Sequence, residues 1–358
     1  MRTLQNTLIL VALTVALAAC SDSASTSGGA GDVDPGRCTI TPDLDPRWLA
    51  SRSVIGADVS CQYVVWLAPA TFDEDSSTPQ VYVHDLANDL TFRTTDGDGE
   101  DRVAPIGVAR WSPALHGFWL AYAEGNTIVA ENLRDLERAT FEARPHPNGT
   151  VDVYFPWAVW ENVQEGGNTV IMAGHLVTGE MLTVSDPTTT AMHPVVDDGR
   201  VAYTVWADDT DGPANGLTGT STVFIATPGA DDTPRPVYTG DGATGRAGLY
   251  DDLLTYVLED TEGTHLVAMS ATSLTEIGFI DVPLELDTWP RVGHGVVTWP
   301  AADKPAYVAW WPYMGQLDEV QVDASASSAR ITIGEFLILA VVESGEGSAL
   351  WIDRIAPQ

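Results

Sequence analysis

The sequence predicts an all-β fold, a β-propeller of four-stranded antiparallel blades, and three observations carry that prediction. First, 32 glycines and 22 prolines punctuate a chain that is 44% hydrophobic and 8% aromatic, with few continuous helical patterns. Such a chain suits many short strands joined by turns. Second, a short apolar strand ending in an aromatic residue recurs along the chain. Third, the recurrences lie roughly 40–50 residues apart, the period of a propeller blade. A chain of 358 residues ordinarily suggests two domains, but a closed all-β fold absorbs that length as one.

The repeated strand occupies 61–66, 117–122, 155–160, 199–203, 252–256 and 295–299, ending respectively in Trp66, Tyr122, Trp160, Tyr203, Tyr256 and Trp299. A seventh copy, 334–340, keeps the strand and loses the aromatic. Polar turns such as Glu124-Gly125-Asn126 and Thr261-Glu262-Gly263 follow, each leading into a further strand. Two intervals are long because 72–79 and 208–219 lengthen a turn inside their blades. Near-continuous apolar runs such as 336–342 suit inner strands covered on both faces. Seven copies predict seven blades, with six as the alternative because the first and last units are the least regular. The last copy leaves room for about three strands before Gln358. A strand drawn from 39–54 is therefore expected to complete it and close the ring.

The best-formed copy runs Arg110-Trp111-Ser112-Pro113 and then 117–122. It resembles the repeat of TolB-like periplasmic β-propellers, in which Trp-Ser-Pro-Asp-Gly leads into a strand ending in an aromatic. Here Ala114-Leu115-His116-Gly117 replaces the Asp-Gly, and only His193-Pro194 and Trp289-Pro290, each followed by a glycine, keep part of the motif elsewhere. The resemblance spans residues 50–355 in periodicity and one blade in motif. It implies a fold and a setting outside the cytoplasm rather than an activity.

Residues 1–19 read as an export leader. Arg2 supplies the positive end, and the apolar stretch 8–19 falls short of the roughly 20 residues needed to cross a bilayer. Leu17-Ala18-Ala19-Cys20 resembles a lipobox, the site at which bacterial lipoproteins are acylated on cysteine and cleaved before it. Two acyl chains on Cys20 anchor a protein stably where one does not. Residues 20–36, rich in serine, glycine and alanine, form a flexible tether, and 37–358 form the propeller domain. Ser21 in place of aspartate favours the outer membrane over the inner. Of the remaining cysteines, Cys38 and Cys61 read as a disulfide in an oxidising compartment, with two buried free thiols as the alternative. The bond closes a loop of about 24 residues, worth about 3 kcal/mol by loop entropy.

Fifty acidic residues against 17 basic ones make the chain strongly negative, and the leader removes a basic residue but no acid. Such a surface repels phosphate backbones and excludes nucleic acid as a partner. It also keeps a monomer soluble. No Gly-x-Ser-x-Gly, His-Glu-x-x-His or Gly-x-x-x-x-Gly-Lys motif occurs. The aspartate-rich segments 96–101 and 209–212 begin like calcium loops, but Gly107 and Thr218 stand where the bidentate glutamate belongs. No metal and no cofactor is expected.

Residues just before inner strands ring one mouth of a propeller's channel. Arg110, Trp111, His193, Trp289 and Arg291 occupy such positions and form a candidate binding rim, with blade-edge packing as their competing role. The expected function is a membrane-tethered binding or scaffold module for a protein, peptide or glycan partner. The alternative is an envelope hydrolase or lyase with its site at the channel mouth.

Overall fold

A computed structural model describes residues 47–354 apart from 51–53, 55, 70–78, 95–109, 148, 207–220, 231–232, 283, 285–287, 302–305, 323–327, 335–336 and 345–346. Among the described residues the strands form seven separate four-stranded antiparallel sheets, one for each of seven blades. Their innermost strands are Gly56–Ser60, Arg110–His116, Val151–Tyr154, Thr190–Asp197, Ala243–Tyr250, Arg291–Gly293 and Ser328–Gly334, in blades one to seven. Each innermost strand lies beside the next, and that of blade seven lies beside that of blade one, so the ring is closed. The strand Arg47–Ala50 pairs with Gly347–Arg354 and supplies the outer edge of blade seven, as the sequence predicts. The two termini of the propeller thus share one sheet.

The repeated aromatic-ended strand is the second strand of each blade, not the innermost, as with Tyr63–Pro69 and Trp119–Glu124. The physical reason lies in where apolar surface is needed. A second strand is flanked by strands on both edges and by neighbouring blades on both faces, so its residues are apolar without alternation. The innermost strand turns one edge to the channel and carries the polar residues.

The core is built between blades. Along the second strand of blade one, Tyr63, Val65 and Leu67 pack with residues of blade two, whereas Val64, Trp66 and Ala68 pack with residues of blade seven. A period of two sends alternate side chains to opposite neighbours. The repeated aromatic always takes the same direction. Tyr122, Trp160, Tyr203, Tyr256 and Trp299 each fill the interface with the preceding blade, and all are at most 4% exposed. Burying an aromatic of this size contributes about 2–3 kcal/mol, so the repeat marks the wedges that hold the ring together.

The turns between third and fourth strands repeat too. Asp85 Oδ1 accepts from the amides of Ala87 and Asn88, and Asn132 Oδ1 from those of Arg134 and Asp135. His175 Nδ1 does the same for Val177 and Thr178. Within the same turns the amides of Leu86, Leu133 and Leu176 donate to carbonyls of Gln62, Phe118 and Pro156, tying each turn to the inner hairpin of its own blade.

Candidate functional site at the channel and its mouth

The channel is lined by edge strands, and edges have amides to satisfy. In an antiparallel pair, alternate residues turn their N–H and C=O groups away from the partner strand. In blades one to six the closing pairs of the inner hairpins are Ser60–Tyr63, His116–Trp119, Tyr154–Trp157, Asp197–Arg200, Tyr250–Leu253 and Gly293–Val296. Each encloses a two-residue loop. The residue before each closing pair, from Val59 in blade one to Val292 in blade six, therefore aims its amide into the channel.

Two aspartates meet that demand in four of the blades. Asp58 accepts from the amide of Val59 in its own blade at 2.9 Å and from Leu115 of blade two at 2.8 Å. Asp152 accepts from Val153 at 2.9 Å and from Val196 of blade four at 2.7 Å. Each carboxylate thus staples one blade to the next through two channel-facing amides. Ser60 Oγ and Asp197 Oδ1 add further staples, accepting from Gly117 and Asp251 of the following blades.

These residues share a register. Asp58, Ala114, Asp152, Val195, Gly248 and Arg291 each stand eight residues before the repeated aromatic of their blade and two before the closing pair. They form one layer around a cavity of about 80 Å³ at the channel waist, where Asp58, Asp152, Leu249, Arg291 and Val292 are among the lining residues. That volume holds a few waters or a small ion, and no sugar ring. Burial pushes the Asp152 carboxyl up to about 7, with Asp58 adding to the rise and the two amides and Arg291 opposing it. Burial likewise pulls the Arg291 guanidinium down, while Asp58 and Asp152 hold it up.

From the waist towards the face where the innermost strands begin runs the aromatic and cationic group, whose Trp289 and Arg291 also line the cavity. The guanidinium carbon of Arg291 sits 3.6 Å from the centre of the Trp289 ring, and that of Arg246 sits 5.5 Å from it. Trp289 is fixed by its Nε1–H, which donates to the Ala247 carbonyl of blade five at 2.8 Å. A bulge places Arg246: the register slips between Thr244 and Ala247, leaving two residues, Gly245 and Arg246, opposite one. Bulges redirect side chains in this way. The same device occurs at Ser112-Pro113 and His193-Pro194, where the register slips between Trp111 and Ala114 and between Met192 and Val195.

His193 shows what the bulge does in blade four. It has a left-handed φ of 56°, and its amide donates to Glu161 Oε1 of blade three at 2.8 Å. The same oxygen accepts from the amide and hydroxyl of Thr150. His193 Nδ1 lies 3.5 Å from Glu161 Oε1, and His146 Nδ1 lies 3.9 Å from Oε2. His193 Nδ1 and Glu161 Oε2 are buried without a hydrogen bond. Burial pushes the Glu161 carboxyl up. It pulls the His193 imidazole down to about 3, with the Arg246 and His146 charges acting in the same direction. Both groups are thereby favoured in their neutral forms.

The structure accordingly joins some of the predicted rim and not all of it. Trp289 and Arg291 are in contact, and His193 is linked to them electrostatically through Arg246. His193 itself is buried at 5% exposure and serves blade packing. Arg110 and Trp111 lie in the innermost strand of blade two, paired with Glu124 and Ala123, and their side chains lie outside the described residues. Cys61 is disulfide-bonded, in the left-handed turn that ends the first innermost strand. Cys20 and Cys38 lie outside the described residues, as do the segments 96–101 and 209–212. Sequence reasoning missed Asp58, Asp152, Glu161 and Arg246. Among the described residues no cluster of histidine, cysteine and carboxylate groups is arranged to hold a metal.

The fold places the chain among propellers with diverse activities. It is similar to an oligogalacturonate lyase from Vibrio parahaemolyticus, at 12% identity over 86% of this chain and 91% of that one, with a TM-score of 0.58. It is also similar to the β-propeller domain of the Trilobed protease from Pyrococcus furiosus, at 9% identity over 86% and 98%, with a TM-score of 0.59. An acylaminoacyl peptidase from Pyrococcus horikoshii matches at 9% identity and a TM-score of 0.58, over 85% of this chain and 51% of its own. At such identities the likeness is one of fold. No family model and no curated protein matches the sequence.

Proposed function

We propose that the chain is an exported, lipid-anchored monomeric propeller whose channel mouth binds an anionic oligosaccharide. The observation that carries this reading is the pair of guanidinium groups over the Trp289 ring, Arg291 at 3.6 Å and Arg246 at 5.5 Å. In a chain with 50 acidic residues and 17 basic ones, two arginines from adjacent blades meeting on one aromatic favour an anion locally against the field of the rest. Arginine and tryptophan are also the residue types that dominate binding energy in buried patches. The lipobox at Cys20 supplies the anchor and the outer-membrane placement, and the fold neighbour named for oligogalacturonate suggests an acidic sugar as the first ligand to try. A protein or peptide partner with an acidic face would use the same groups.

Arg246→Gln tests the reading. The substitution keeps the length and polarity of the side chain and removes its charge. Affinity for oligogalacturonate should fall at least about tenfold, or about 1.4 kcal/mol, with the melting temperature unchanged. Equal affinity in the variant would remove the mouth from the account.

The second reading, an envelope hydrolase or lyase, draws on Glu161, His193 and His146. Two histidines converge on one carboxylate, and the protonation of Glu161 and His193 is shifted, as acid–base chemistry requires. Burial weighs against it. Glu161 and His193 are at most 5% exposed, and neither lines the waist cavity. Only His146 of the three reaches solvent appreciably.

A further inference from the structure

Among blades one to six the amides around the channel leave one sector open. Asp58 serves the channel-facing amides of blades one and two, and Asp152 serves those of blades three and four. By the same spacing the next staple, between blades five and six, belongs at residue 248, and that residue is glycine. No side chain there is available to accept from the amides of Leu249 and Val292, which the hairpin register aims into the channel. A Cβ at Gly248 would lie 2.5 Å from the Pro290 carbonyl oxygen and 2.6 Å from Val292 Cγ2, so the two blades close up where a staple would stand.

The other polar group of this sector is also a donor. Arg291 occupies the same layer in blade six and lines the same cavity as Leu249 and Val292. Its guanidinium stacks on Trp289 and has no hydrogen-bonded or ion-paired partner among the described residues. Stacking leaves the in-plane N–H groups of a guanidinium available. Asp58 and Asp152 line the same cavity and favour the Arg291 charge through space, but their oxygens accept from the amides of blades one to four.

We propose that this donor-only sector, formed by the Leu249 and Val292 amides and Arg291, binds an anion that takes the place of the absent third aspartate. The ligand is a halide or a single carboxylate group, in keeping with a cavity of about 80 Å³. A chain of amides converging on one point is a familiar anion-binding arrangement, and a guanidinium beside it adds charge-assisted bonds. The carboxylate has two possible sources, a free anion of the medium or a uronate group of a ligand seated at the mouth. Only the second depends on the function proposed above.

Bromide is the probe. Crystals of the wild-type protein grown with sodium bromide should show an anomalous peak within hydrogen-bonding reach of both amides and Arg291. In solution, bromide should raise the melting temperature above that found at equal ionic strength with a sulfonate salt too bulky for the cavity. Arg291→Met should abolish that difference. Crystals with no peak in this sector, together with equal melting temperatures in the two salts, would overturn the proposal. Adding oligogalacturonate to the bromide crystals separates the sources. Displacement of the peak identifies a ligand carboxylate, and a retained peak identifies a free ion. Loss of sugar binding with the bromide peak intact would refute the mouth and leave this site standing.

Discussion

Asp152 accepts hydrogen bonds from Val153 in its own blade and from Val196 in the next, at 2.9 and 2.7 Å, while burial pushes its carboxyl up to about 7. The folded protein therefore holds a proton here that the unfolded chain, with a carboxylate of ordinary acidity, releases. The stabilisation linked to that proton is complete in acid, below about pH 4, and is lost as pH rises through about 7. Asp152→Asn removes the titrating group, although its NH2 then faces one of the two N–H donors. Urea unfolding between pH 5.5 and 8 should show the wild type losing stability relative to the variant, by up to a few kcal/mol. Parallel pH profiles would show that Asp152 is ionised throughout the range.

Gly248 marks where blades five and six close upon each other. Gly248→Ala introduces a Cβ at 2.5 Å from the Pro290 backbone oxygen and 2.6 Å from Cγ2 of the buried Val292 side chain. Chemical denaturation should report a loss of about 1–3 kcal/mol. A neutral substitution would mean that the two blades part readily.

Much of the fold is legible in the sequence because its cause is local. The aromatic at the end of each second strand fills the interface with the preceding blade, so every blade needs one at the same place. Blade seven, whose copy ends at Ala340, is the exception. The turn repeat is equally local, with Asp85-Leu86, Asn132-Leu133 and His175-Leu176 in matching positions, yet its polar member changes identity and hides the pattern.

The waist was harder to see for a different reason. Asp58, Asp152 and Arg291 each stand eight residues before Trp66, Trp160 and Trp299, but Ala114, Val195 and Gly248 hold the same position in other blades. Residues that act on the next blade's amides need not repeat, since one carboxylate serves two blades. Arg246 was missed because a bulge, not a motif, carries it to Trp289.

Cys61 is disulfide-bonded. Lipid on Cys20 would leave Cys38 as its partner among the three cysteines. Peptide mapping of the mature protein without reductant should recover the two cysteine peptides linked. Reduction should cost about 3 kcal/mol of stability. A Cys20–Cys61 link, or a free Cys38 thiol, would contradict this pairing.

The anchor has its own test. Cys20→Ser should release the protein from the membrane into the soluble exported fraction, or leave an uncleaved precursor. A variant processed normally and still bound to membrane would rule out the lipobox reading.

An anion site at the mouth over Trp289 has a direct signature in solution. The most direct measurement is titration calorimetry of the wild-type propeller with oligogalacturonate and with a neutral oligosaccharide of equal length, each at low and high salt. The account predicts binding of the acidic chain alone, weakening as salt rises because the contacts are charged. Equal affinity for the two sugars, or no binding of either, would contradict it.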